Sequence, residues 1–213
     1  MQLSGDFIFT LIVLILSIIL HEIAHGYAAA SLGDPTARLA GRLTLNPLKH
    51  LDPVGSVLIP LLLIISGGGI LFGWAKPVPY NPYNLKNQRW GEAIVAAAGS
   101  LTNIAIAILF AFIARLSFAG LAPEIFGSLA STIVLVNLFL GLFNLIPLPP
   151  MDGYTTLRSL LPYRLATPLR EFEERIRGFG AFGLIGLLLL FVVFVSGPFS
   201  ALVSSLFRLL VGI

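Results

Sequence analysis

The chain has 213 residues, 57% of them hydrophobic and 11% charged, with a formal net charge of +3 and no cysteine. A soluble domain carries roughly a quarter charged residues, so this composition excludes an ordinary soluble enzyme, a disordered chain and a nucleic-acid-binding domain. The missing cysteines exclude disulfides and thiolate metal sites. A polytopic membrane protein remains. Residues 7–20, 53–75, 93–114, 125–151 and 178–207 contain no Asp, Glu, Lys or Arg, and several of these runs reach the roughly 20 apolar residues that a helix needs to cross a bilayer core.

In chain order, residues 7 to about 31 are expected as one helix, apolar first and then HEIAHGYAAAS, stopped by Gly33, Asp34 and Pro35. No Lys or Arg precedes it, Asp6 does, and it continues into His21 and Glu22, so it is expected to be retained rather than cleaved as a signal peptide. Residues 37–53 alternate crudely between polar and apolar, which predicts a short strand or hairpin at the membrane surface. The stretch 54–74 holds Pro60 and Gly67, Gly68 and Gly69. Each interior glycine costs a helix about 1 kcal/mol relative to alanine, so a bent, re-entrant segment is expected. Residues 75–91, rich in Pro and Asn, are expected as a loop.

A helix over about 92–118 carries AIVAAAGSLTNIAIA, small residues suited to close packing. Another spans about 125–146 and breaks at LIPLPPMDGY. An amphipathic surface helix is expected at about 167–178, with Thr167 as N-cap and Pro168 as first helical residue. Leu169, Phe172 and Ile176 share one of its faces, and Glu171 with Arg175 and Glu173 with Arg177 are spaced for ion pairs. Residues 179–213 form one kinked span or a hairpin around Gly197 and Pro198. The expected fold is an all-α polytopic membrane protein, one domain over 1–213, with about four to six membrane segments, one of them re-entrant, and a small membrane-edge strand element.

Chemistry concentrates at His21, Glu22 and His25. Positions i and i+4 share a helix face, so the two imidazoles can bind one tetrahedral metal. Glu22 projects beside that face and can act as general base toward a water on the metal. Ionisable groups inside an apolar span cost about 2.5–3.5 kcal/mol or more and mark function. Catalytic zinc commonly takes three protein ligands, and the acidic residue in a comparably apolar context is Asp152. Asp152-Gly153 also suits a plain turn. His50 competes for the third position, but its neighbours Lys49 and Asp52 place it among the headgroups.

HEIAH at 21–25 and NLIPLPPMDG at 144–153, with GWAKPVP at 73–79 and GSLTN at 99–103 between them, resemble the site-2 protease family of intramembrane zinc metalloproteases, in its short prokaryotic branch without a PDZ or CBS module. The resemblance spans about residues 20–155. It implies that His21, His25 and Asp152 bind one zinc ion and that Glu22 is the catalytic base. It also makes Asn103 and Asn144 candidates to position substrate or steady the oxyanion.

Straight crossing by every segment would leave His25 and Asp152 on opposite sides, and a re-entrant 54–74 removes the conflict. Loops 32–53, 75–91 and 149–178 then share one side and hold all the Lys and Arg residues except Arg115 and Arg208. The positive-inside rule makes that side cytoplasmic, with an external N-terminus and the zinc nearer the cytoplasmic face of the inner membrane. The expected activity is hydrolysis of peptide bonds in transmembrane or membrane-anchored substrates, as in regulated intramembrane proteolysis, with the stretch Arg38 to Asn46 binding substrate by edge addition. The partners are such substrates and the lipid bilayer, and no nucleic acid. The rival reading is a membrane metal-ion transporter or a catalytically silent metal-binding membrane protein. It does not need a Glu directly after the first His.

Overall fold

A computed structural model describes residues 5–58 and 75–212. Helix α1 (Gly5–Ser31) has 27 residues, about 40 Å at 1.5 Å per residue. It stops where the sequence turns: Gly33 takes φ 105°, open to glycine without strain. Asp34 follows, fully buried, and its Oδ1 accepts the Thr36 backbone N–H.

That contact starts a one-turn helix, α2 (Thr36–Leu39), where the strand was expected. No strand occurs among the described residues. A lone segment without a ladder partner leaves its backbone groups unpaired. Here Leu39 N–H instead bonds Pro35 O, Ala40 N–H bonds Thr36 O, and Arg42 N–H bonds Ala37 O. Of the apolar half of the alternation, Leu39 and Leu45 are largely exposed, while Leu43 is partly buried beside Gly26 of α1. Of the expected re-entrant segment, residues 59–74 lie outside the described residues.

Helices α3 (Gly91–Phe118) and α4 (Glu124–Asn144) form the centre. Ala107, Ala111 and Ala114 of α3 pack on Ala130, Val134 and Leu138 of α4. A Cβ at Gly141 would lie 3.0 Å from the Ser100 carbonyl oxygen. Lipid tails are as apolar as leucine, so close backbone packing rather than burial from water holds such helices together. The short α5 (Asp152–Leu160) and surface helix α6 (Tyr163–Gly178) follow.

Helix α6 begins four residues before the expected N-cap. Thr167 bonds back to the Tyr163 carbonyl and Pro168 lies inside the helix. Of the two expected ion pairs, Glu173–Arg177 forms at 2.6 Å, and none joins Glu171 to Arg175 among the described residues. The chain then runs through α7 (Ala181–Leu190), a π-helical turn Phe191–Val195 and α8 (Ser196–Val211). The C-terminal region is thus one continuous helical path rather than a hairpin. Phe199, Val203 and Val211 of α8 join the α3–α4 core, and Arg115 closes its far end by donating to the Leu209 and Leu210 carbonyls. Four described helices are long and apolar enough to cross a membrane, at Gly5–Ser31, Gly91–Phe118, Glu124–Asn144 and Ile185–Val211. The chain is a multi-pass membrane protein.

Helices α1 and α3 run antiparallel. Ala29, in the last turn of α1, packs with Val95 in the first turns of α3 and with Leu85 of the preceding loop. The chain therefore enters α3 on the face where α1 ends.

Candidate metal centre

Helical periodicity puts His21 and His25 one turn apart, and both rings face α3. The antiparallel pairing sets His25 opposite Val95 and His21 opposite Gly99. His25 Nδ1 lies 2.7 Å from the Val95 carbonyl oxygen. A carbonyl only accepts, so Nδ1 carries the proton and Nε2 is left with a free lone pair. That Nε2 is 3.1 Å from His21 Nε2, with the two rings at 85°.

The third atom comes from the other end of the fold. After α4, the LIPLPPM break turns the chain back and Asp152 opens α5. Its Oδ2 lies 3.0 Å from His21 Nε2 and 3.3 Å from His25 Nε2. Gly153 is required for this return, because a Cβ there would strike the Leu145 carbonyl. The Asp-Gly pair is therefore a helix start packed against its neighbours, not a loose turn.

His21, His25 and Asp152 make up a group able to hold a metal ion. The donor set fits zinc. Ligand atoms at about 2.0–2.1 Å from a tetrahedral ion stand about 3.3 Å apart, close to the observed triangle. A cation also accounts for three electron-rich atoms converging in a largely buried place. Ser100 Oγ, 3.5 Å from Asp152 Oδ2, lies beside this triangle.

Glu22, adjacent in sequence, stands outside the triangle. Its Oε2 accepts the Val78 backbone N–H at 2.8 Å. Asn103 is fully buried on the α3 face one turn beyond Gly99, and both its side-chain polar atoms lack a hydrogen-bond partner among the described residues. Asn144 donates to the Leu140 carbonyl in its own helix. No described hydrogen bond ties either asparagine to the triangle. His50 is 3% exposed and bonded through Nε2 to the Thr44 carbonyl, and it is not part of the metal-binding group among the described residues.

Sequence reasoning did not single out Gly99, Ser100, Val95 or Val78. Gly99 and Ser100 lie within GSLTN, where a glycine preceding a polar residue was the available signal. Val78 lies within GWAKPVP at 73–79, while the Val95 carbonyl leaves no signal in the sequence. Asn137 was also missed. It is fully buried on α4, with Nδ2 donating to the Ile133 carbonyl and Oδ1 without a partner among the described residues.

A separate cleft of about 500 Å³ opens between the loop before α3 and helices α5 and α6. Several of its charges pair: Arg158 with Glu92 and Glu173, and Glu173 also with Arg177. Burial, and then the charge of Glu92, pushes the Tyr80 phenol at its wall up to about 12, so this side chain stays neutral.

The family model for Peptidase family M50 matches residues 9–129 and 118–192. Two similar proteins are named "Putative zinc metalloprotease". YwhC of Bacillus subtilis (strain 168) is 37% identical over 86% of this chain and 80% of its own length. Rip2 of Mycobacterium tuberculosis (strain ATCC 25618 / H37Rv) is 30% identical over 97% of this chain and 75% of its own length. "Zinc metalloprotease MJ0392" of Methanocaldococcus jannaschii is 28% identical over 70% of this chain and 33% of its own length. No solved structure matches the chain.

Proposed function

The chain belongs to peptidase family M50, the site-2 protease family, as a zinc metalloprotease, and on that premise we propose that it hydrolyses peptide bonds of transmembrane or membrane-anchored proteins, as in regulated intramembrane proteolysis. The observation that supports this is the convergence of Asp152, at the start of the short helix α5, on His21 and His25 of α1, a helix long enough to cross a bilayer that also carries Glu22.

In this reading one membrane-embedded domain holds the whole site. His21, His25 and Asp152 would hold one zinc, and the Val95 carbonyl holds the His25 ring and its tautomer. Zinc, when bound, would supply Lewis-acid polarisation of the scissile carbonyl and would lower the pKa of a water toward about 7. Glu22 takes the proton from the attacking water and delivers it to the leaving amine. Asn103, buried with unspent donor and acceptor capacity, and Asn144 are proposed to hold substrate or its developing oxyanion. A helical substrate must unwind before its carbonyls are reachable, because they are spent in its own hydrogen bonds.

The orientation follows from charge. The basic loops flank the face where α1 ends and α3 begins, so that face is proposed to be cytoplasmic in the inner membrane, with the N-terminus external and the zinc nearer the cytoplasm. The deciding experiment is Glu22→Gln, assayed in liposomes on a transmembrane substrate with zinc content measured in parallel. General acid–base catalysis contributes about 10²–10⁴-fold, so cleavage should fall at least about a hundredfold with zinc retained. Undiminished cleavage at full zinc would remove Glu22 from the mechanism, and metal flux without proteolysis would favour a transporter.

A further inference from the structure

The segment Lys76-Pro77-Val78-Pro79-Tyr80 lies along α1. Pro77 and Pro79 have no backbone N–H, so Val78 is the sole main-chain donor between Lys76 and Tyr80. That donor is the one given to Glu22 Oε2. Lys76 and Val78 each precede a proline, which confines them to extended backbone, so the segment is stiff.

Both of its ends are anchored by buried polar groups. Before the prolines, the Lys76 carbonyl accepts from the Arg42 guanidinium at 2.7 Å, and the Lys76 N–H donates to the His50 carbonyl at 2.9 Å. After them, the Asn81 N–H donates to Asp34 Oδ2 at 2.7 Å. Arg42 is 7% exposed, and Asp34 is fully buried. In the middle, the buried Val78 side chain sits against Gly26, one turn past Glu22, where an added Cβ would lie 2.9 Å from Val78 Cγ1.

We propose that the Lys76–Tyr80 segment is a brace for the catalytic base, in which the Val78 N–H fixes the Glu22 carboxylate and Arg42 and Asp34 are positioning residues acting through the segment. The proposal rests on Glu22 being the general base. A free glutamate samples several rotamers, and only some of them point toward the metal side. One charge-assisted N–H bond holds the group while using one of about four lone-pair sites. Oε1 takes no hydrogen bond from the described residues, so it is left to exchange a proton. No described hydrogen bond joins the segment to His21, His25 or Asp152, which separates a brace on the base from a plug on the metal.

The test replaces Val78 by its α-hydroxy acid through nonsense suppression, so that an ester oxygen replaces the N–H and the side chain is kept. The full chain in detergent is assayed on a fluorogenic apolar transmembrane peptide, with zinc content and thermal unfolding measured on the same samples. The expected result is a drop of about tenfold in kcat, with KM within about twofold and zinc retained. Arg42→Gln should lower kcat in the same way, and Arg42→Lys should restore part of the loss. In a Glu22→Asp background the ester should add little further loss, because the two changes act on one interaction.

Unchanged kcat overturns the brace, a raised kcat shows that the segment blocks the site, and lost zinc shows a merely structural role. Glu22→Gln run alongside separates the two levels. If Glu22→Gln is inactive and the ester is silent, the brace alone fails; if Glu22→Gln is fully active, the assignment of the base fails.

Discussion

Gly99 stands so close to His25 that a Cβ on it would lie 2.5 Å from His25 Nε2, and 2.6 Å from His21 Nε2. The bare backbone of α3 is thus one wall of the metal centre. Gly99→Ala should force the two rings apart. Zinc affinity should fall at least about a hundredfold, more than the 10–100-fold typical of losing an outer partner of a ligand, while helix content holds. Zinc titration of the purified protein checks it, and wild-type affinity in the alanine variant would show that the rings and α3 are farther apart than described.

Asp152 brings the negative charge to the triangle. Asp152→Asn keeps the shape and removes that charge, so zinc should dissociate readily and a chelator should strip the variant under conditions that leave wild type loaded. Helix α5 should persist, since Gly153 and its close packing on Leu145 are untouched. Metal analysis after a brief chelator challenge reads this directly, and equal retention would place the third ligand elsewhere.

Asp34 accepts from Thr36 N–H and Oγ1, Asn81 N–H and Asn84 Nδ2. Desolvation works against its charge, yet the hydrogen bonds from Thr36, Asn84 and Asn81 outweigh it and hold the carboxyl below the usual range. A lowered folded value means that the stabilisation is complete above the unfolded value of about 3.9 and is lost as pH falls through the folded one. Asp34→Ala should lower the unfolding temperature by roughly 5 °C near neutral pH. The gap to wild type should narrow as pH drops below about 4. Thermal scans across that range test the sign, and a gap that widens in acid would contradict it.

Arg158 ties the start of α3 to α5 and α6, at 2.6 Å to Glu92 and 3.2 Å to Glu173. Removing one partner of a partly buried network strands the opposite charges, whereas removing all of them is far milder. Arg158→Met should destabilise by about 2 kcal/mol, discounted from the 3–5 kcal/mol of a fully buried pair. Adding Glu92→Gln and Glu173→Gln should restore part of that loss. Detergent unfolding curves of the single and triple variants decide it, and a triple variant less stable than the single one would refute this account.

Much of this molecule is written locally. A period of 3.6 puts His21 and His25 on one face whatever surrounds them. The small residues of 93–114 announce close packing, and 11% charge announces a membrane. Asp152 was legible because an acid after an apolar run is costly unless it is used. The strand expected at 37–53 failed because alternation is a weak signal over so few residues, and a one-turn helix forms at Thr36–Leu39 instead, its first N–H donating to Asp34. The start of α6 was misplaced because Thr167-Pro168, a good helix opening, is also tolerated inside one.

Composition makes this a membrane chain, and residue type and context pick out His21, Glu22, His25 and Asp152 as candidates whose roles the family resemblance implies. Only the tertiary structure decided what surrounds them: the Val95 carbonyl on His25, the absent Cβ of Gly99 between the rings, and the Val78 N–H on Glu22. These partners are backbone atoms or missing atoms, which no side-chain pattern encodes. They come from segments 56 to 78 positions away, between Glu22 and Val78 or His21 and Gly99, and are placed only when α1, α3 and the proline segment pack together.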